Sequence, residues 1–153
     1  MAYVVLASVL ALMPPVAQAQ FRLTPSRAPA QFDPARRIAA CAFKHGVQGI
    51  AALSDVPAAI RDAIGPMAEK NAFFNATDVY MRGIPNRGFV SAGQSGDRYF
   101  VWYQQGGIAL FSLIAVYRLP SGAAKAELVT QQRDTGGDLC QTIDTVLDAK
   151  PPG

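Results

Sequence analysis

The chain has 153 residues, half of them hydrophobic and only 16% charged, with a formal net charge of +3. That length suits one domain with a sizeable core, and that composition excludes intrinsic disorder. So small a cationic surplus lacks the dense basic patch of a nucleic-acid-binding face, so no nucleic-acid partner is expected.

Residues 1–16 form an almost unbroken apolar run, followed by Ala17-Gln18-Ala19. The small residues at the last and third-last positions match a secretory signal cleaved after Ala19, although no Lys or Arg precedes the apolar core. An uncleaved anchor is the alternative, but the run falls short of the roughly 20 residues of a spanning helix and Pro14-Pro15 interrupts it. The expectation is a periplasmic or secreted protein with no stable membrane span after cleavage. In such an oxidising space the chain's two cysteines, Cys41 and Cys140, are expected to form a disulfide. With a single histidine besides, they offer no zinc-ligand spacing, and neither a metal nor a cofactor is expected.

Residues 20–32 hold prolines and arginines without periodicity and read as a flexible leader to a single α+β domain over 33–150, with a short tail at 151–153. Asp33-Pro34 opens a helix, since Asp caps free amides and Pro suits the first helical position. Ile38, Cys41, Ala42 and His45 would share its face, and Gly46 would end it. The apolar stretch 47–53 is either a short strand or an irregular connection. Ser54-Asp55-Val56-Pro57 signals a second helix, stopped by Gly65-Pro66, and 68–76 offers a further turn.

From Thr77 the pattern changes to strands over 77–82, 89–94, 97–104, 108–119 and 124–130, separated by Gly-rich breaks. Taking Ser95-Gly96 and Gly106-Gly107 as two-residue turns aligns Phe89, Trp102 and Phe111 in one cross-strand row. The opposite face then carries Val90, Tyr99, Val101, Tyr103, Leu110, Ile114 and Val116. A one-residue slip would exchange the faces without making either polar. A sheet with two apolar faces must be covered on both. The expected architecture is an antiparallel four- or five-stranded meander. The N- and C-terminal helices, joined by the disulfide, lie on one face and the second helical segment on the other. The rival is a one-sided sheet whose free face forms a homodimer or partner interface. Residues 138–149 form the last helix, with Leu139, Ile143, Val146 and Leu147 at helical spacing.

Charge is unevenly placed. Arg22, Arg27, Arg36, Arg37 and Lys44 crowd the start, while Asp134, Asp138, Asp144 and Asp148 lie near the end. The two ends are expected to pack together and partly neutralise each other.

Candidate chemistry is sparse. His45 would be needed by any Ser–His or Cys–His mechanism, but its place at a helix end favours a structural role through the macrodipole. Gly93-Gln94-Ser95-Gly96 lacks the spacing of a nucleophile elbow and reads as a hairpin turn. Glu69 and Glu127 are the only glutamates, so acid–base pairs would draw on Asp78 and Asp97. Asp97 is expected to close its hairpin with Arg98. Trp102-Tyr103-Gln104-Gln105 has the chemistry of a sugar or peptide contact surface, although a core tryptophan is the simpler reading. Asn75-Ala76-Thr77 matches a glycosylation sequon.

No catalytic or binding residue is therefore assigned. The expected function is a non-catalytic exported binding protein: an inhibitor, an immunity-type protein or an envelope accessory factor, partnered by another protein or envelope component. The alternatives are a small secreted hydrolase using Asp78, Arg82, Asp97 and Arg98, and a small-ligand carrier with an apolar chamber between sheet and helix.

Overall fold

The structure is a computed structural model and describes residues 38–78 and 80–150. The expected signal peptide, leader, Asp33-Pro34 helix start, Arg22, Arg27, Arg36, Arg37 and the 151–153 tail lie outside the described residues.

Five antiparallel strands form one sheet in sequence order: β1 (Gln48–Ile50), β2 (Arg87–Ser95), β3 (Arg98–Gln105), β4 (Phe111–Arg118) and β5 (Glu127–Arg133). Two helices accompany them, α1 (Ala58–Ile64) and α2 (Leu139–Leu147). The α+β class and the meander are as expected, and Cys41 and Cys140 form a disulfide across a sequence separation of 99.

Both sheet faces are apolar because alternate residues of β3 and β4 point to opposite sides and those in the middle of each strand are hydrophobic. Phe100, Trp102, Ile114 and Val116 pack with Leu139, Ile143, Val146 and Leu147 of α2, joined by Ile38, Phe43 and Val47. Phe89, Ala92, Val101, Tyr103, Ala115 and Tyr117 pack with Leu53, Val56, Ile60 and Ile64 around α1. The chain itself thus lays side chains against each face.

The helices follow their sequence signals. In α2, Leu139, Ile143, Val146 and Leu147 fall on one face and are all buried, and Asp138 caps the helix by accepting from the amides of Cys140 and Gln141. In α1, Ile60 and Ile64 are one turn apart and buried, and Gly65, at φ +84°, ends the helix.

Three expectations are corrected. Helical backbone ends at Ala39, not at Gly46, and residues 41–47 run as irregular chain. The disulfide at Cys41 and the packing of Phe43 and Val47 draw this segment towards the sheet edge, where β1 begins. Ala42 and His45 are consequently exposed instead of sharing a buried face with Ile38. Residues 68–76 do hold the expected turn, at 70–71, closed by the Ala72 amide donating to Glu69 O, together with a bridge from Ala68 to Gly88. Residues 77–82 form no strand in their described part, because side-chain bonds from Asn75 gather them into a loop.

The third correction concerns register. The β3–β4 connection occupies residues 106–110, not two glycines, and the β2–β3 turn is Gly96-Asp97. Val90 forms a bulge between the pairs Phe89↔Tyr103 and Ser91↔Trp102. Trp102 therefore faces Ser91 and Ile114, and the row Phe89–Trp102–Phe111 does not exist. The face memberships exchange, and both faces stay apolar. The outer strands also shift: β4 starts at Phe111, not at 108, and β5 starts three residues late, at Glu127.

Candidate functional site

The sheet has two functional candidates, one at each end of β2. At the Asp97 end, charged groups pair with one another. Arg118 Nε donates to Asp97 Oδ2 at 2.8 Å, replacing the expected Asp97–Arg98 pair. The bond from Arg118 holds the Asp97 carboxyl below its ordinary value, and Asp97 raises Arg118 in turn. Arg98 Nη1 instead donates to the carbonyls of Leu147 and Ala149, satisfying the orphan acceptors at the end of α2.

His45 Nε2 lies 2.7 Å from Asp148 Oδ1, at the C-cap of that same helix. The imidazole thus meets the C-cap carboxylate of α2 and not, as expected, the end of a helix of its own. The Lys44 amide donates to buried Asp144 at 3.2 Å. Among the described residues the segment 41–45 and the end of the chain are joined by these contacts and the disulfide, although Lys44 takes part through its backbone amide and not its ammonium group.

His45, Ser95, Asp97, Arg98 and Asp148 line a pocket of about 350 Å³. Its His, Asp and Arg side chains are already bonded to protein groups, which makes it a clasp between the ends of the chain.

The opposite end is built around Asn75, which is 3% exposed. Its Nδ2 donates to the carbonyls of Met81 and Ile84 at 3.0 and 2.8 Å and to Asn86 Oδ1 at 3.2 Å. Its Oδ1 accepts from the Met81 amide at 3.0 Å, and its backbone amide donates to Pro85. One side chain thus ties both limbs of the 75–86 loop. The same burial removes the sequon reading in the folded protein, because Nδ2 is committed to three acceptors.

The second loop, 106–110, is locked to the first. The Gly106 amide donates to Asn86 O at 2.8 Å, and a Cβ at Gly106 would stand 1.8 Å from the Asn75 carbonyl oxygen. Only glycine permits that approach. Gly106 therefore serves loop–loop packing, not the two-residue turn that its sequence suggests.

These braced loops present apolar side chains to solvent. Ile108 is 99% exposed, Leu110, Tyr80 and Met81 are exposed on the same two loops, and Phe73 is exposed just ahead of the first. At the adjoining end of β4 the Arg133 guanidinium lies 3.9 Å above the Phe111 ring. Sequence reasoning missed these side chains, having placed Ile108 and Leu110 in a buried strand and Tyr80 and Met81 in a strand over 77–82. Gly106-Gly107 next to a lone Ile was the available signal.

The other sequence candidates are scattered. Asp78 and Arg82 sit in the 75–86 loop, while Asp97 and Arg98 lie beyond the far end of β2. Nine residues of strand separate those ends by roughly 25–30 Å. Glu69 accepts from the Leu53 amide at 3.1 Å, and Glu127 opens β5. Trp102 is buried and donates from Nε1 to Ser112 Oγ at 2.7 Å, so it belongs to the core. Among the described residues no group of three His, Cys, Asp or Glu side chains is placed to hold a metal ion. None of the described helices is long and apolar enough to cross a membrane.

The chain matches no protein-family model, no curated protein and no solved structure.

Proposed function

We infer that this is an exported, non-catalytic binding protein that grips a protein partner in the periplasm or outside the cell with the loop end of its sheet. The observation that carries this reading is that Tyr80 and Met81 on one loop and Ile108 and Leu110 on another are left in solvent while the two loops are bonded to each other, with Phe73 exposed just ahead of the first. Gathered apolar side chains on a monomer's surface mark interaction sites. Aromatic, Met and Arg side chains are the types enriched in protein interfaces, and Arg82 follows Met81 in the first loop while Arg133 stacks on Phe111 at the adjoining end of β4. Loops already held in shape by Asn75 and Gly106 lose little freedom on docking, which favours affinity.

Export rests on the signal pattern ending at Ala19, and the disulfide accords with an oxidising compartment. A hydrolase drawing on Asp78 with Asp97 would need carboxylates within one substrate width, and these two lie at opposite ends of β2. A carrier would need an apolar chamber where Phe100, Ile114 and Ile143 pack as fully buried side chains.

The test is comparative capture from the native envelope fraction. The double variant Ile108→Asp/Leu110→Asp should fold normally and lose the partner retained by wild type. Lys125→Asp, on the loop before β5, should keep it. Equal retention by both variants would refute the docking site.

A further inference from the structure

Between the end of α1 and the 80–86 loop lies an open pocket of about 530 Å³. Its lining is apolar at Met67, Tyr80, Ile84 and Pro85 and polar at Asn86, Arg87 and Gln105, and it includes no acidic side chain. Arg87 is half-buried there. Its Nε donates to Gln105 Oε1 at 2.7 Å, and its Nη1 donates to the Ile64 carbonyl at the end of α1. These bonds fix the guanidinium plane but leave Nη2 with no acceptor among the described residues. A guanidinium carries five N–H donors, so most of this one's capacity is unused.

The charge of Arg87 is also unpaired, with no acidic partner among the described residues. Its field reaches the buried phenols of Tyr103 and Tyr117. Burial pushes Tyr103 up and Tyr117 up to about 12, and Arg87 pulls against both shifts. A half-buried cation offset only by neutral dipoles is costly, and an anion delivered to it would relieve that cost.

The geometry points to a binding site for a carboxylate carried on an aromatic or aliphatic group, with the carboxylate on the Arg87 fork and the apolar body against Met67, Tyr80 and Ile84. A carboxylate suits a single pinned guanidinium because its one charge and two oxygens match the planar fork. The apolar lining disfavours a compact, fully hydrated anion, which would lose hydration without apolar contact in return. Ile108 and Leu110 do not line the pocket and Tyr80 belongs to both surfaces, so the Arg87 contacts alone distinguish this site from the docking role.

The carboxylate has two sources, a free small acid or the C-terminus of a peptide, and one titration separates them. The isotope-labelled protein is titrated with phenylacetate, with phenylacetamide, and with the tripeptide Ala-Ala-Phe as free acid and as amide. The resonances of Arg87 Nε–H, the Gln105 side-chain amide and the Ile84 amide should move with the acids. Each acid should bind about tenfold or more tightly than its amide. Tighter binding of the tripeptide acid assigns the site to chain termini, and tighter binding of phenylacetate assigns it to free acids. Arg87→Lys should weaken both by about tenfold, since the ammonium keeps the charge but loses the fork. Tyr80→Ala, at an exposed position, should also weaken binding and serves if the Arg87 variant fails to fold. Equal affinity for acid and amide, movement of resonances elsewhere only, or no movement up to roughly 10 mM would overturn the assignment.

Discussion

Asn75 and Gly106 carry the loop end of the molecule. Removing the Asn75 amide strands the Met81 amide and two carbonyls in a part-buried setting, so Asn75→Ala should cost about 1–3 kcal/mol in chemical unfolding. Gly106→Ala drives a methyl group into the Asn75 carbonyl, and a loss of at least about 2 kcal/mol is expected there too. A neutral result for either variant would show that the loops are held by something else. At the opposite end, the sign of the Asp97 effect is set by its lowered carboxyl. Its ionised form is favoured in the folded state, so its contribution is fully present above the ordinary value of 3.8 and is lost as pH falls through the lowered folded one. The urea midpoint of Asp97→Asn should therefore lie below wild type at neutral pH and converge with it in strong acid. Both partners are substantially exposed, so the gap should be small and should shrink with added salt.

At the scale of elements, α2 depends on a cap and a covalent tie. Asp138→Ala should cost about 1 kcal/mol, with loss of amide-exchange protection confined to the first turn of α2. Replacing both cysteines with serine should cost roughly 4–5 kcal/mol in the chain-entropy picture, and protection should fall in α2 and residues 38–47 before the central strands. These elements also show what a sequence can display. The last helix was legible because Leu139, Ile143, Val146 and Leu147 recur at its own period and Asp138 stands before them. The second helix was legible between Pro57 and Gly65. Strand register was not, because it depends on where a glycine is needed. Gly106 is required by the carbonyl of Asn75, about thirty residues earlier, and no local pattern records that. The 77–82 segment likewise has strand-like residues but answers to Asn75, and the early helix gives way where Cys41 is tied and Phe43 packs. The apolar character of both sheet faces survived the register shift because it rests on composition, which a slip leaves unchanged.

At the largest scale, the described residues form a sheet clasped at one end and braced into open loops at the other. At the Asp97 end, the disulfide-linked segments, His45–Asp148, Arg98 on the end of α2 and Asp97–Arg118 consume nearly all the local polar groups. At the Asn75 end, hydrogen bonds are spent on shaping loops whose apolar side chains have nothing to cover them among the described residues. Sequence reasoning had expected a binding protein without locating its surface, since exposure is a property of the folded loops alone. The most direct test of that surface is site-specific photocrosslinking in the native host, with benzoylphenylalanine placed singly at positions 108, 110 and 125. The account predicts one adduct of common mass from positions 108 and 110 and none from position 125. No adduct from the loop positions, or the same adduct from all three, would contradict it.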